Sequence, residues 1–148
     1  MLSLVRTCKE FGVKLVAFQH ALEAYMIAPE LAKAGVGASI FADAWAFKYE
    51  GYDSIPYNAA ILTRRGVLTS VNTDTGGGNT PFNLEAAKAM RFGGLSADEC
   101  LKMVTINAAK QLLIDSRVGS IEVGKDADLA IWDGHPMSVY SKARQTIL

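Results

Sequence analysis

Three short, almost uninterrupted apolar runs mark the first half of the chain: V-K-L-V-A-F at residues 13–18, V-G-A-S-I-F-A at 36–42 and V-L-T-S-V at 67–71. Runs of this length without polar alternation suit strands covered on both faces, as in a parallel sheet. The intervening spacing predicts one helix before Gly12, a second over 23–34 and a third over 56–65. Gly12, Gly35 and Gly66 close them, as expected where a chain leaves a helix through the left-handed region. Helix and strand therefore alternate, which predicts βαβ units with right-handed crossovers and a parallel sheet.

Downstream, Pro81 opens a further helix with Leu84, Ala87 and Met90 along one face. Ser96 and Glu99 have the spacing of a capping box for a helix carrying Leu101 and Val104, and Ile106, Ala109, Leu112 and Leu113 extend that pattern. From Val118 the pattern turns to β: glycines at 119, 124 and 134 punctuate strand-like runs at 120–123 and 129–132, and Thr146-Ile147-Leu148 reads as another strand. The chain has neither internal repeats nor a low-complexity linker.

Composition narrows the function classes. A 148-residue chain that is 50% hydrophobic and 20% charged can bury a core, which excludes a disordered chain. Fifteen basic residues balance fifteen acidic ones, so no net field favours nucleic acid or an anionic membrane. The first twelve residues include Arg6, Lys9 and Glu10 and lack the apolar core of an export signal. No stretch approaches the ~20 apolar residues of a membrane span, and the compartment is left open. Cys8 and Cys100 form no C-x-x-C pair and read as two reduced, partly buried thiols on helices.

Polar residues follow each apolar run: Gln19 and His20, then Asp43, then Asn72 and Asp74. Ligands of parallel α/β sheets bind at the carboxyl ends of strands, so these positions are the candidates for chemistry. Pattern alone leaves alternatives open. His20 is also explained as a core histidine bonded to a carbonyl, Asp74 as a turn residue in N-T-D-T-G, and His135 as a surface residue. The segment from Gly119 to Asp126 mimics a phosphate loop, but Asp126 stands where a hydroxyl is needed and a strand-like run follows instead of a helix, which predicts a pair of turns. Gly76-Gly77-Gly78 lacks a lysine and reads as a loop lining a pocket.

The blocks T-I-N-A-A-K-Q-L (105–112) and R-V-G-S-I-E-V-G-K-D-A-D-L-A-I-W-D (117–133) closely resemble the C-terminal signature of the amidohydrolase superfamily, most of all its imidazolonepropionase-like members. The resemblance continues upstream through F-G-V-K-L-V-A-F-Q-H-A-L-E-A-Y, A-D-A-W-A-F-K-Y-E, I-P-Y-N-A-A-I-L, V-N-T-D-T and L-E-A-A-K-A-M-R-F-G-G-L-S, and so covers essentially the whole chain. It implies a metal-dependent hydrolase of amide, cyclic amide or dipeptide-like carbon–nitrogen bonds, built on a (β/α)8 barrel. Residues 1–115 would supply strands six to eight and the C-terminal helices, and residues 116–148 part of a small β-sandwich. His20 then matches the family's histidine after strand six, a metal ligand in binuclear members and a substrate or water contact in mononuclear ones. Asp74 matches the aspartate after strand eight, both metal ligand and proton shuttle. The implied cofactor is a divalent metal, zinc first, one or two ions in the complete enzyme; the implied partner is a small amide-type substrate.

The departures from the pattern set further expectations. The family's His-x-His, its Lys or Glu and its fifth-strand His would all precede Met1, whereas a catalytic zinc commonly takes three protein ligands and a water. The chain is therefore expected to be a fragment, inactive alone, that needs its N-terminal half; the alternative is a non-catalytic half-barrel that oligomerises or complements a separate chain. Ala108 replaces a usual proline, and residues 76–82 depart from the family's polar, Arg-containing segment, which leaves substrate identity open.

Overall fold

The apolar runs do form a parallel sheet, with helices between its strands. In a computed structural model, which describes residues 1–42, 45, 49–73 and 81–148, α1 (Leu2–Glu10) leads to β1 (Ala17–Phe18). A single 3-10 turn (Ala24–Ile27) and α2 (Ala28–Ala34) lead to β2 (Gly37–Ile40), and α3 (Asn58–Arg64) leads to β3 (Thr69–Val71). The strands pair in the order β1-β2-β3, with Ala17 opposite Gly37 and Ala38 opposite Thr69. Every residue of central β2 is buried, which accounts for its lack of polar alternation.

Local chemistry sets the helix ends. Pro29 falls in the first turn of α2, where its missing N–H costs nothing, and Gly35 ends the helix with φ +67°. Ser96 and Glu99 form the expected capping box: Glu99 N–H donates to Ser96 Oγ (3.2 Å) and Ser96 N–H to Glu99 Oε2 (2.8 Å). These begin α5 (Ala97–Met103), which follows α4 (Phe82–Gly93) and precedes α6 (Ile106–Leu112).

Three expectations are corrected. The first strand is not 13–18 but Ala17–Phe18, because Val13 N–H turns back to Cys8 O (2.8 Å) and pairing starts only where Gly37 N–H reaches Val16 O (2.8 Å). The helical pattern through Leu101 to Leu113 breaks at Thr105 (φ −130°, ψ −103°), whose hydroxyl donates to Leu101 O (2.8 Å), a competing bond that β-branched threonine makes readily. Residues 120–123 are not a strand: Ile121 and Val123 are exposed, and Gly119 and Gly124 take φ +95° and +92°. The phosphate-loop mimic is accordingly a set of turns, with Lys125 Nζ donating to Ser120 Oγ (2.6 Å).

The core lies between the sheet and its helices, where Leu31, Ile40, Leu62, Cys100 and Met103 are fully buried. Each large aliphatic side chain contributes about 1.5–3 kcal/mol by leaving water. Buried alanines, Ala59 and Ala60 on α3 and Ala86 and Ala89 on α4, let those helices approach closely. Beyond them β4 (Leu129–Trp132) and β5 (Ala143–Ile147) pair antiparallel, and all of β5 is exposed. Among the described residues no helix is long and apolar enough to cross a membrane.

Candidate active site

The carboxyl ends of the three strands converge at one end of the sheet, and the predicted site residues that can be located lie there. Gln19 and His20 directly follow β1; Asn72 directly follows β3. Asn72 Nδ2 donates to Gln19 Oε1 (3.3 Å), so the ends of the first and third strands are linked across the second. Asp43 and Asp74, with Gly76-Gly77-Gly78, lie outside the described residues.

His20 is exposed at this end and has an uncommon backbone, with φ +52°. A side chain bearing a Cβ is strained there and persists only where its surroundings over-determine the turn. Just after His20 the turn is fastened: Ala21 N–H donates to Ser39 O in β2 (3.0 Å), and Leu22 N–H to the carbonyl of His20 itself (2.8 Å). The imidazole meets the ring of Phe41 edge to face, with centroids 4.9 Å apart. It borders an open cleft of about 660 Å³ whose walls include Phe18, Leu22, Tyr49, Tyr52 and Asp53. Behind that wall Tyr25 Oη donates to Asp53 O (2.8 Å). Burial, then the charges of Asp53 and Glu23, hold the Tyr25 phenol above its ordinary pKa.

Two buried side chains that the sequence reading passed over shape the same end. Asn58, the first residue of α3, donates through Nδ2 to Ala21 O and Leu22 O (3.0 Å each) and accepts from Tyr25 N–H through Oδ1 (3.1 Å). Glu85 on α4 accepts from Ala42 N–H (3.1 Å), just past β2, and from Lys88 Nζ (2.5 Å). A signal for Glu85 was present in the sequence. It shares a helix face with Ala86, Ala89 and Gly93, all small and all buried, where a carboxylate needs a partner. His135 plays a local part, accepting Met137 N–H at Nδ1 (3.1 Å) in a turn. Cys8 and Cys100 are both unbridged.

Imidazole nitrogen is a preferred zinc donor, so His20 suits a metal by chemistry and by place. Among the described residues, however, no three His, Cys, Asp or Glu side chains gather into a group that could hold an ion. His20 with its fastened turn therefore offers one imidazole at the carboxyl end of the sheet, beside the cleft.

Comparison with known proteins places the chain in a family. Residues 12–147 match the amidohydrolase family. An imidazolonepropionase of Mesorhizobium japonicum is 39% identical over 109 residues, 72% of this chain and 26% of that protein. An amidohydrolase structure from Thermotoga maritima superposes with a TM-score of 0.89 at 35% identity, over 99% of this chain and 38% of that one. An adenosine deaminase from Xanthomonas campestris, solved with bound zinc, shares the fold at a TM-score of 0.67 and 23% identity, over 85% of this chain and 31% of its own. The chain thus spans about a quarter to two-fifths of the length of these relatives. It belongs to the amidohydrolase family and is of the imidazolonepropionase-like kind.

Proposed function

We propose that residues 1–115 are strands six to eight and the C-terminal helices of a (β/α)8 barrel, that residues 116–148 belong to a small β-sandwich, and that the protein carrying them hydrolyses a small amide, cyclic amide or dipeptide-like substrate. The observation that carries this reading is the position of His20, held in a left-handed turn at the carboxyl end of β1 beside a cleft. Active sites of such barrels lie at that face.

In this reading His20 and Asp74 hold a divalent metal, zinc first, together with ligands from strands outside this chain. When bound, the metal supplies Lewis-acid polarisation of the scissile carbonyl and lowers the pKa of a water from about 15.7 toward about 7. His20 lends a neutral imidazole nitrogen and, because its turn is fixed, gives up little freedom in doing so. Asp74 accepts the proton of the attacking water and returns it to the leaving nitrogen, base and then acid in one cycle. In this reading residues 1–148 are inactive alone, because the site takes further ligands from outside them.

The test is Asp74→Asn and His20→Ala in the protein as naturally produced. Asp74→Asn should lower kcat by roughly 10²–10⁴-fold, the usual share of a proton-transfer group, and His20→Ala should lower bound zinc measured by atomic emission. Unchanged turnover in Asp74→Asn would overturn the assignment.

A second reading has one observation in its favour: all of β5 is exposed and β4 is half-buried at most, so this ribbon presents two uncovered faces. In it the chain is a non-catalytic half-barrel that pairs with a copy of itself or with a separate N-terminal chain. Light scattering from a well-folded monomer that binds no hydrophobic dye would rule it out.

A further inference from the structure

We propose that Asn58 is a positioning residue for His20, holding the loop after β1 in the turn that sets where the imidazole sits. The proposal rests on the reading of His20 as a site residue. A left-handed backbone at a residue with a Cβ must be held by its surroundings, and here the holding groups can be named. Within five residues of His20, the carbonyls of Ala21 and Leu22 and the N–H of Tyr25 all turn inward to one side chain, that of Asn58. Asn58 is 1% exposed, so water is no substitute partner for these groups.

The chemistry is specific to an amide. Two carbonyls need donors and one N–H needs an acceptor, and a short carboxamide provides both at any ordinary pH. Aspartate of the same shape keeps the acceptor but sets a charged oxygen against two carbonyls, and alanine leaves all three backbone groups unpaired. Asn58 also belongs to the rigid first turn of α3, which is packed into the core through Ala59, Ala60 and Leu62. The loop is therefore referenced to the core and not to solvent. Asn58 reaches His20 through the backbone of Ala21 and Leu22, the two residues that follow it, and released carbonyls would let His20 relax to an ordinary φ, moving the ring away from Phe41.

The experiment uses the protein as naturally produced, with ¹⁵N-labelled histidine. The His20 ring signals, assigned by their loss in His20→Gln, are compared in Asn58→Ala, Asn58→Asp and a control, Met103→Ala, which removes a buried side chain on α5 and none of the hydrogen bonds to Ala21, Leu22 or Tyr25. In both Asn58 variants the native ring signals should disappear or shift, and zinc affinity should weaken on the order of ten- to a hundredfold, as when a partner that orients a metal ligand is removed. Met103→Ala should leave both unchanged while lowering the melting temperature. Asn58→Asp, which keeps the bond from Tyr25, serves if Asn58→Ala does not fold. His20 ring signals in Asn58→Asp that coincide with the native ones would overturn the proposal. Unchanged zinc affinity in His20→Ala would instead overturn the site reading, and the ring spectra would still report on positioning.

Discussion

Replacing a glycine inside a helix by alanine ordinarily stabilises it, yet Gly93→Ala should destabilise this chain. A Cβ at position 93 would lie 2.5 Å from the Cβ of Ala60 and 3.6 Å from its Cα. Carbon atoms in ordinary contact are about 3.5–4.0 Å apart, so α3 and α4 would have to part by roughly 1 Å there. Neither atom has a rotamer through which to escape, and Arg64 Nη2, bonded to Gly93 O at 2.8 Å, clamps the helices at the same point. Overpacking of this kind costs about 1–3 kcal/mol. The propensity gain of alanine over glycine offsets it by up to about 1 kcal/mol, and by less here because Gly93 ends its helix. The net expectation is a loss of about 1–2 kcal/mol, read as a lower midpoint in urea at constant slope. The complementary Ala60→Gly should cost about 1 kcal/mol alone through propensity, but combined with Gly93→Ala it should restore near-native stability, because the pair merely exchanges a methyl across the contact. A Gly93→Ala chain as stable as the native one, or a double variant whose losses simply add, would refute the reasoning.

The buried thiol and the helix cap give further expectations. Burial, and after it the charge of Glu99, pushes the Cys100 thiol up to about 11, so iodoacetamide at pH 8 should label Cys8 while Cys100 reacts only on unfolding. Because the folded pKa is raised, the stability contributed by Cys100 is present below the unfolded value and lost as pH rises from about 9 to about 11; Cys100→Ser should flatten that alkaline decline in a pH series of urea midpoints. Ser96→Ala removes the hydroxyl half of the capping box and should cost about 1 kcal/mol in the same assay. The Ser96 backbone N–H, and after it the hydroxyl, holds the Glu99 carboxyl below its usual range, so that contribution is present above pH 4.5 and fades as pH falls through the lowered value.

What was legible in the sequence is what a local pattern can encode. The strands were visible because residues such as Ala38, Ile40 and Val71 are buried among apolar neighbours and leave no polar alternation. Their lengths were not, since β1 extends only as far as β2 pairs with it. The G-S-I-E-V-G segment alternates like a strand, but its terminal glycines at φ +95° and +92° make it a turn, and no periodicity distinguishes the two. His20 could be singled out because its place just past an apolar run is a local fact. Asn58 could not: an asparagine at the start of a helix reads as a cap, and its partners lie 33 to 37 positions away. The assignment of Asp74 rests on the resemblance to the family, whereas Asp43 is a candidate only by its place after the second apolar run; both lie outside the described residues.

The long-range bonds share a logic that ties the fold to the site. Strands of two to four residues make few ladder bonds, so the backbone groups at their ends need partners from elsewhere. Helices supply them: Asn58 of α3 past β1, Glu85 of α4 past β2, and on α6 Asn107, which donates to Thr69 O (2.8 Å), with Gln111, which donates to Leu68 O (2.8 Å) and Ala38 O (3.2 Å). Two of these three helices reach the strand ends where ligands of such sheets bind, and the third holds β2 and β3 through Asn107 and Gln111 of the N-A-A-K-Q block. Each anchor belongs to a helix packed by small residues, so a shift of one helix is transmitted as a shift of one strand end. That coupling joins the two kinds of substitution considered above: Gly93→Ala, by pressing on Ala60, moves the helix that carries Asn58, and a packing change far from the cleft should therefore perturb the His20 turn as well as the stability of the core.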